Sequence, residues 1–355
     1  MTSTARPRLK FGFDKFSGLY LWAGFIVLFA IWEPGLFPTS ATIHSIAAGQ
    51  SIAAIEAIAL LVPLVAGAYD LSIGAVINLS AIVVTWLQTQ QHWGMWPAIL
   101  AAILVCAAIG IVNGFFVVKM HVNSFIVTLA TATVVAAFQT IVSNNEQPLP
   151  PTSSAWTNLT QRSVFGFQII FVYLIVIALI AWWVLDHTPA GRYLYAIGGN
   201  SEAARLSGVN VGRWTWLSLV TSASLSGLAG VFYASLYGPS LVFGQALLLP
   251  AFAAVFLGST QLRPGKFNLW GTMIAVFALA TGVAGFMYVT GVQWLNDMFN
   301  GVALLVAVSF AVTRQRAARN RRPRPAAGRT GNSEPPANSD PVNEPPTEIS
   351  ESLAT

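Results

Sequence analysis

The segment GFQIIFVYLIVIALIAWWVL, residues 166–185, is a run of 20 residues without a charged side chain. About 20 apolar residues in a helix are needed to cross the hydrocarbon core of a bilayer. The composition points the same way, because 55% of the 355 residues are hydrophobic and only 9% are charged, whereas soluble domains carry about 25% charged residues. We therefore expect an all-α, polytopic membrane protein.

Ten apolar segments of this kind are expected to cross the membrane. They cover residues 18–33, 42–66, 71–88, 94–118, 123–142, 166–185, 214–237, 246–258, 267–288 and 293–312. The third and eighth segments are short, and the second and eighth contain Pro63 and Pro250. Short or interrupted spans are tolerated where protein surrounds the free backbone groups, and in transporters they often line the route of the solute.

Two terminal segments flank this transmembrane domain, residues 18–312. A basic segment, residues 1–17, precedes it, and a Pro-rich tail, residues 313–355, follows it and is expected to be disordered. With ten spans both termini lie on one side of the membrane, and that side receives every Lys and Arg except Arg162. The positive-inside rule makes this side cytoplasmic.

The charge and the reactive residues exclude several classes of protein. The net charge of +5 is explained by the positive-inside orientation of the spans, so we expect no nucleic-acid partner. The basic start of the tail is suited to contact membrane lipid headgroups. The single cysteine, Cys106, cannot form a disulfide within the chain, and the four histidines show no metal-ligand spacing. We expect no metal and no cofactor bound by this chain.

The polar stretch GGNSEAARLSGVNVGR, residues 198–213, follows the sixth span on the cytoplasmic side. Asn200 or Ser201 can cap a short helix over residues 201–207, and Gly208 suits a left-handed stop. A helix this short is marginal in water and needs a partner surface. Ala203 and Leu206, three residues apart, offer a small apolar contact face.

The same stretch carries a resemblance to a known family. Glu202, Ala203, Ala204 and Gly208 spell E-A-A-x-x-x-G, which resembles the loop by which bacterial ABC importer permeases dock on their ATPases. The wider stretch TPAGRYLYAIGGNSEAARLSGV, residues 188–209, is similar to T-x-x-G-R-x-x-x-A-I-G-x-N-x-x-A-A-x-x-S-G of ribose-type sugar permeases. The residues that the resemblance assigns to the coupling loop are Gly191, Arg192, Asn200, Glu202, Ala203, Ala204, Arg205 and Gly208.

Three further stretches resemble the same family, so the likeness spans roughly residues 40–310. GAYDLSIG, residues 67–74, is similar to G-G-x-D-L-S-x-G, and Asn113-Gly114 followed by SFIVTL resembles N-G and P-F-I-V-T-L, with Ser124 in place of the proline. AAVFLGST, residues 253–260, precedes a Gly-Thr pair at 271–272. The candidate gate and solute-path residues are Glu56, Asp70, Ser72, Gly74, Asn113, Phe125 and Thr128.

The resemblance implies the membrane subunit of an ABC importer in the bacterial inner membrane, not an enzyme. It implies a monosaccharide or similar uncharged solute carried inward. The chain contains no G-x-x-x-x-G-K-[S/T] motif, so ATP must be hydrolysed by separate ATPase subunits. The other implied partners are an extracytoplasmic solute-binding protein and a second permease copy in a homodimer.

The roles of three acidic residues stay open at this point. Asp70 is expected to accept the N–H of Ser72 or Ile73 at the start of the third span, as a structural cap or as part of a moving gate. Glu56, inside the second span, either contacts solute or is structural. Asp297, with Asn296 and Asn300, is expected to cap the outer end of the last span.

Two other functions compete with the importer permease of the sugar type. A branched-chain amino-acid-type ABC permease is a related alternative. A self-contained proton-coupled transporter would use Glu56 or Asp297 as its proton site and would not need the E-A-A loop. An intramembrane enzyme is not supported, because the chain has no H-E-x-x-H or G-x-S-x-G motif.

Overall fold

The computed structural model describes residues 13–320, whose regular secondary structure is helical apart from one short hairpin. The strands β1 (Ser163–Val164) and β2 (Phe167–Gln168) pair antiparallel, with Ser163 opposite Gln168. The helices are α1 (Phe13–Trp32), α2 (Ser40–Val65), α3 (Ile73–Thr89), α4 (Met95–Gly114), α5 (Ser124–Ser143), α6 (Ser154–Gln161), α7 (Ile169–His187), α8 (Pro189–Gly199), α9 (Ser201–Leu206), α10 (Val211–Tyr237), α11 (Phe243–Gly258), α12 (Leu269–Thr290) and α13 (Trp294–Asn320); a π-helical turn, Phe115–Lys119, continues α4.

The helices confirm the all-α fold and fall into two groups by length. Six of the described helices, α2, α4 with its π-helical turn, α5, α7, α10 and α12, are long and apolar enough to cross a membrane. Four shorter apolar helices lie within α1, α3, α11 and α13. Each of the ten segments expected from the sequence overlaps one of these helices, but the count of ten spans and the cytoplasmic termini stay predictions.

Two short helices, α6 and α8, lie outside the ten expected spans. In α8, Pro189 occupies the first turn, and Leu194 and Ile197 are buried three residues apart. In α6, the Ser153 side chain accepts the N–H of Trp156, whose side chain is buried. Both helices are too short to span a membrane, so a search for apolar stretches of about 20 residues does not find them. The sequence features that could have predicted them are Pro at the first turn of α8 and Ser at the N-cap of α6.

The last helix extends past the expected boundary of the transmembrane domain. Helix α13 continues to Asn320, beyond the expected end of the last span at residue 312. The remaining tail, residues 321–355, and most of the basic segment 1–17 lie outside the described residues.

Helices α2 and α10 form the centre of the protein. From residue 54 to residue 65 every side chain of α2 is buried, including that of Pro63. Helix α10 packs closely on its neighbours through glycines, because a Cβ atom on Gly230 would overlap the carbonyl of Ile77 in α3. Protein therefore surrounds α2, which explains why a proline and a carboxyl group are tolerated within it.

Candidate coupling site and solute path

Helix α9 is a separate capped helix on the surface. The Asn200 side chain accepts the N–H of Ala203 at 3.0 Å, and Arg205 forms an ion pair with Glu202 at 2.7 Å. Gly208 has a φ of +84°, the left-handed geometry that ends a helix. The expected cap, stop and extent of this helix are confirmed, with the last helical residue at Leu206.

The two faces of α9 differ in exposure. Ala204 is buried against the protein, whereas Ala203 is exposed and Leu206 keeps 81% of its surface accessible. Ala203 and Leu206, three residues apart, therefore lie on the outward face of α9. The ion pair between Glu202 and Arg205 is itself exposed, so it contributes little to stability.

Helix α8 anchors α9 to the rest of the protein. Gly191 lies at the tight turn between α7 and α8, where a Cβ atom would overlap the main chain of Leu185. The Tyr195 hydroxyl donates to the carbonyl of Phe267 at 2.8 Å, and burial followed by the nearby Asp186 carboxylate raises the pKa of Tyr195 to about 12. Tyr195 therefore stays a hydrogen-bond donor at neutral pH.

An ion pair reinforces the same junction. Arg263 Nη1 lies 2.7 Å from Asp186 Oδ1 and joins the end of α7 to the connection between α11 and α12. Arg192, which the resemblance assigned to the coupling loop, is exposed on α8. Its guanidinium is thus available to a partner, while Gly191 has a structural reason to be glycine.

The junction of α8 and α9 touches the end of α2. A Cβ atom on Gly198 would overlap the carbonyl oxygen of Val65, the last residue of α2. A Cβ atom on Gly67, which has a φ of +79°, would lie 3.6 Å from the Cα of Gly198. Helix α8, which leads directly into α9, is thereby in contact with the break between α2 and α3.

A buried hydrogen-bond network holds this break. Asp70 Oδ1 accepts the Ser72 N–H at 3.0 Å and the Ser72 hydroxyl at 2.5 Å, which confirms the expected contact of Asp70 with the N–H of Ser72. Asn113 Nδ2 donates to the Ser72 hydroxyl at 3.0 Å. All three side chains are fully buried, so each bond replaces a contact with water that is no longer available.

The first turn of α5 is attached to the same break. The Ser124 hydroxyl accepts the Tyr69 N–H at 3.0 Å, and the Thr128 hydroxyl accepts the Leu71 N–H at 3.0 Å. Ser124 stands where the ribose-type motif has proline, and it supplies a hydroxyl that proline lacks. Phe125 is 48% exposed and contacts the ring of Tyr69 edge-on.

Two of the candidate gate residues lie elsewhere, at helix–helix contacts. A Cβ atom on Gly74 would come within 2.7 Å of the Gly244 carbonyl, so Gly74 allows α3 to approach α11. Glu56 is fully buried on α2 beside Ser226 of α10, and neither of its carboxyl oxygens makes a hydrogen bond of normal geometry. No hydrogen bond of normal geometry therefore joins Glu56 to the Asp70 network, although the Asp70 carboxylate is close enough to act on Glu56 electrostatically.

A cavity of about 230 Å³ lies between α2, α11, α12 and α13. Its polar lining comes from Gln50 on α2 and from Asn296, Asp297 and Asn300 on α13, and its aromatic lining from Phe243 on α11. None of these five was among the candidate solute-path residues. The signal that could have found them is the spacing of three polar residues on one face at the start of an otherwise apolar span.

Comparison with known proteins assigns the family. The family model described as the permease component of branched-chain amino acid transport systems matches residues 42–308. Over 247 residues the chain is 31% identical to the ribose import permease protein RbsC of Bacillus subtilis strain 168, covering 68% of this chain and 76% of that protein. No solved structure matches the chain.

Two further relatives extend the match over more of the chain. The ribose import permease protein RbsC of Escherichia coli strain K12 is 29% identical over 293 residues, which is 80% of this chain and 89% of that protein. The fructose import permease protein FrcC of Rhizobium meliloti is 29% identical over 302 residues, which is 80% of this chain and 81% of that protein. With a family model that matches most of its length and relatives of this kind, the chain belongs to the ribose-type family of ABC importer permeases, which are multi-pass proteins of the bacterial inner membrane.

Proposed function

We propose that this chain is the membrane-spanning subunit of an ATP-driven importer that carries a monosaccharide or a similar uncharged solute into the cell. Separate ABC ATPase subunits would hydrolyse ATP, and an extracytoplasmic binding protein would deliver the solute. A second copy of the chain would complete the assembly as a homodimer. Ten spans with both termini in the cytoplasm would place α9 on the side of the ATPases.

The observation that carries this proposal is the contact chain from α9 to α2. The exposed Leu206 offers α9 to a partner, and Gly198, near the end of α8 just before α9, lies against the carbonyl of Val65. A displacement of α9 by the ATPases would therefore reach the central helix without a flexible linker between them. The chain itself would add no covalent chemistry, and it would couple nucleotide state to solute access through contacts that differ between two conformations.

The Asp70 network gives a defined structure to the break between α2 and α3, which would move during transport. The break between α2 and α3 is held by Asp70, Ser72 and Thr128 rather than by regular helical hydrogen bonds. A short segment held by side chains can shift as a unit and re-form the same bonds, which suits a gate better than a continuous helix.

The nature of the solute is supported by the relatives. The two matched RbsC proteins are named ribose import permeases, and FrcC is named a fructose import permease. A monosaccharide is therefore the solute class to test first.

A pair of matched substitutions tests the role of α9. Leu206 and Leu149 are 81% and 80% exposed, and Leu149 lies in the long connection between α5 and α6. Leu206→Glu should abolish co-purification of the ATPase and ATP-driven uptake of radiolabelled D-ribose, D-allose or D-fructose in proteoliposomes, while Leu149→Glu should keep the ATPase bound. Normal ATPase binding and uptake by Leu206→Glu would contradict the proposal.

The same proteoliposomes distinguish a proton-coupled transporter. Uptake that depends on ATP, the ATPase and the binding protein supports the importer. Accumulation of any of the three sugars driven by a proton gradient, with the permease alone in the membrane, would overturn it.

A further inference from the structure

The cavity between α2, α11, α12 and α13 has the chemistry of a solute site. Helix α13 turns Asn296 and Asn300 to one face, because residues four apart lie one above the other on a helix. Asn300 Nδ2 donates to Asn296 Oδ1 at 2.7 Å. This bond fixes both amides and leaves the Asn300 oxygen as a free acceptor and the Asn296 nitrogen as a free donor.

The remaining lining completes a mixed polar and aromatic site. Asp297, an exposed residue of α13, adds a carboxylate that can accept hydrogen bonds from two hydroxyl groups, and Gln50 supplies an amide from the opposite wall on α2. The ring of Phe243 is stacked on Tyr233 with centroids 3.8 Å apart, which fixes its plane at the edge of the cavity. Apolar walls with a few oriented polar groups are typical of small-molecule sites.

The size and charge of the cavity restrict its ligand. Its volume of about 230 Å³ is below the range of roughly 300–1,000 Å³ found for drug-sized ligands, so it suits a small solute. None of the described residues that line it is basic, so the carboxylate of an amino acid would find no cation partner there and would lie near the like charge of Asp297, which is unfavourable.

The cavity is connected to the coupling contact through a single helix. Gln50 and Val65 lie on α2, 15 residues apart, which corresponds to about 22 Å along the helix axis. The residues between them are almost all buried, so we expect α2 to be displaced as a unit in the proposed mechanism. A shift imposed at Val65 is thereby felt by the cavity wall that carries Gln50.

We propose that this cavity is the site where the permease holds its solute during transport, and that it takes a neutral polyhydroxylated molecule whose adjacent hydroxyl groups contact Asp297 and Asn300. This inference rests on the proposed function of the chain as an importer subunit. It adds the residues that would contact the solute, and it excludes amino-acid solutes at this site.

Uptake measurements test the site in the complete transporter. Proteoliposomes with the full-length permease, the ATPase and the binding protein are assayed with radiolabelled D-ribose, D-allose, D-fructose and L-leucine. Asp297→Ala and Asn300→Ala should each lower kcat/KM of sugar uptake about tenfold or more, as expected for loss of a hydrogen bond to the solute. Gln293→Ala, an exposed residue before α13 that does not line the cavity, should behave as wild type.

Cysteine labelling tests the same site without transport. Cys106 is the only cysteine in the chain and is fully buried, so a maleimide reports only an introduced thiol. An excess of the transported sugar should slow the labelling of Asn300→Cys and leave that of Gln293→Cys unchanged. This readout also covers the case in which an alanine variant fails to assemble with the ATPase.

The outcomes separate this inference from the proposed function. If the wild-type transporter takes up a sugar while Asp297→Ala and Asn300→Ala transport it at the wild-type rate, the site is wrong and the importer function stands. If L-leucine protects Asn300→Cys and no sugar does, the solute class is wrong. If the wild-type complex takes up none of the sugars with ATP, the proposed function itself is overturned.

Discussion

Gly198 lies against the carbonyl of Val65, so closely that a single added carbon atom would overlap the carbonyl oxygen. This contact joins α8, just before the surface helix α9, to the end of the buried helix α2. Glycine is needed here because two main chains approach closely. A left-handed backbone is not the reason, because the φ of Gly198 is not positive. In the proposed mechanism, this contact would pass a displacement of α9 through α8 to the core of the protein.

Substitution of Gly198 should separate α8 from α2. Gly198→Ala should lower solute uptake while the ATPase still co-purifies, because the added methyl group pushes α8 away from α2 and leaves the surface of α9 intact. Gly199→Ala is the matched control, since nothing lies within 4 Å of a Cβ atom at that position. Equal uptake by the two variants would show that the Gly198–Val65 contact does not transmit motion.

The cap of α9 should control its stability. Asn200→Ala removes the acceptor for the Ala203 N–H, and the loss of an N-cap costs about 0.5–2 kcal/mol of helix stability. We expect faster hydrogen–deuterium exchange of the amides in α9 and lower uptake. Asn200→Asp keeps an acceptor and should preserve both; unchanged exchange in Asn200→Ala would contradict the role of the cap.

The Asp70 network should contribute measurably to the stability of the protein. Asp70→Ala leaves the N–H and hydroxyl of Ser72 without their acceptor, and an unsatisfied buried group costs about 1–3 kcal/mol. Asp70→Asn retains a carbonyl oxygen in the same place and should lose less. The measurement is thermal unfolding of the purified permease in detergent, and the idea fails if alanine and asparagine are equally harmful.

The buried carboxyl group of Glu56 should be replaceable by an amide. Glu56 has no hydrogen-bond partner of normal geometry and is fully buried, and an unpaired buried charge is costly. Glu56→Gln, which has the same shape and no charge, should therefore keep ATP-driven uptake, whereas Glu56→Lys should prevent folding. A complete loss of transport in a well-folded Glu56→Gln protein would favour a proton site instead.

Some features of the candidate site could be read from local sequence. The Asn200 cap, the left-handed Gly208 and the contact of Asp70 with the Ser72 N–H each depend on residues within a few positions of each other. Such features follow from side chains that reach their own backbone, so neighbouring residues are sufficient to predict them.

Other features could not be read in this way. Helix α8 was missed because a short surface helix lacks the length of a span, and its two buried residues are a weak signal. The cavity was missed because Gln50 and Asn300 are far apart in the chain, and the local sequence does not show that α2 and α13 lie on the same cavity. For Glu56 the sequence left solute contact and a structural role both open, and only the structure shows that its carboxyl group lies beside Ser226 of α10.

The sequence by itself determined that this chain is a bundle of apolar helices with a small capped helix on its surface, because the transfer of a segment into a bilayer and the capping of a helix depend on adjacent residues. Only the tertiary structure decided that Gly198 meets Val65, that Asp70 joins Ser72 and Asn113, and that α2 and α13 enclose a polar cavity. These contacts join segments that are distant in the chain, and they depend on how side chains of different helices fit together at close packing.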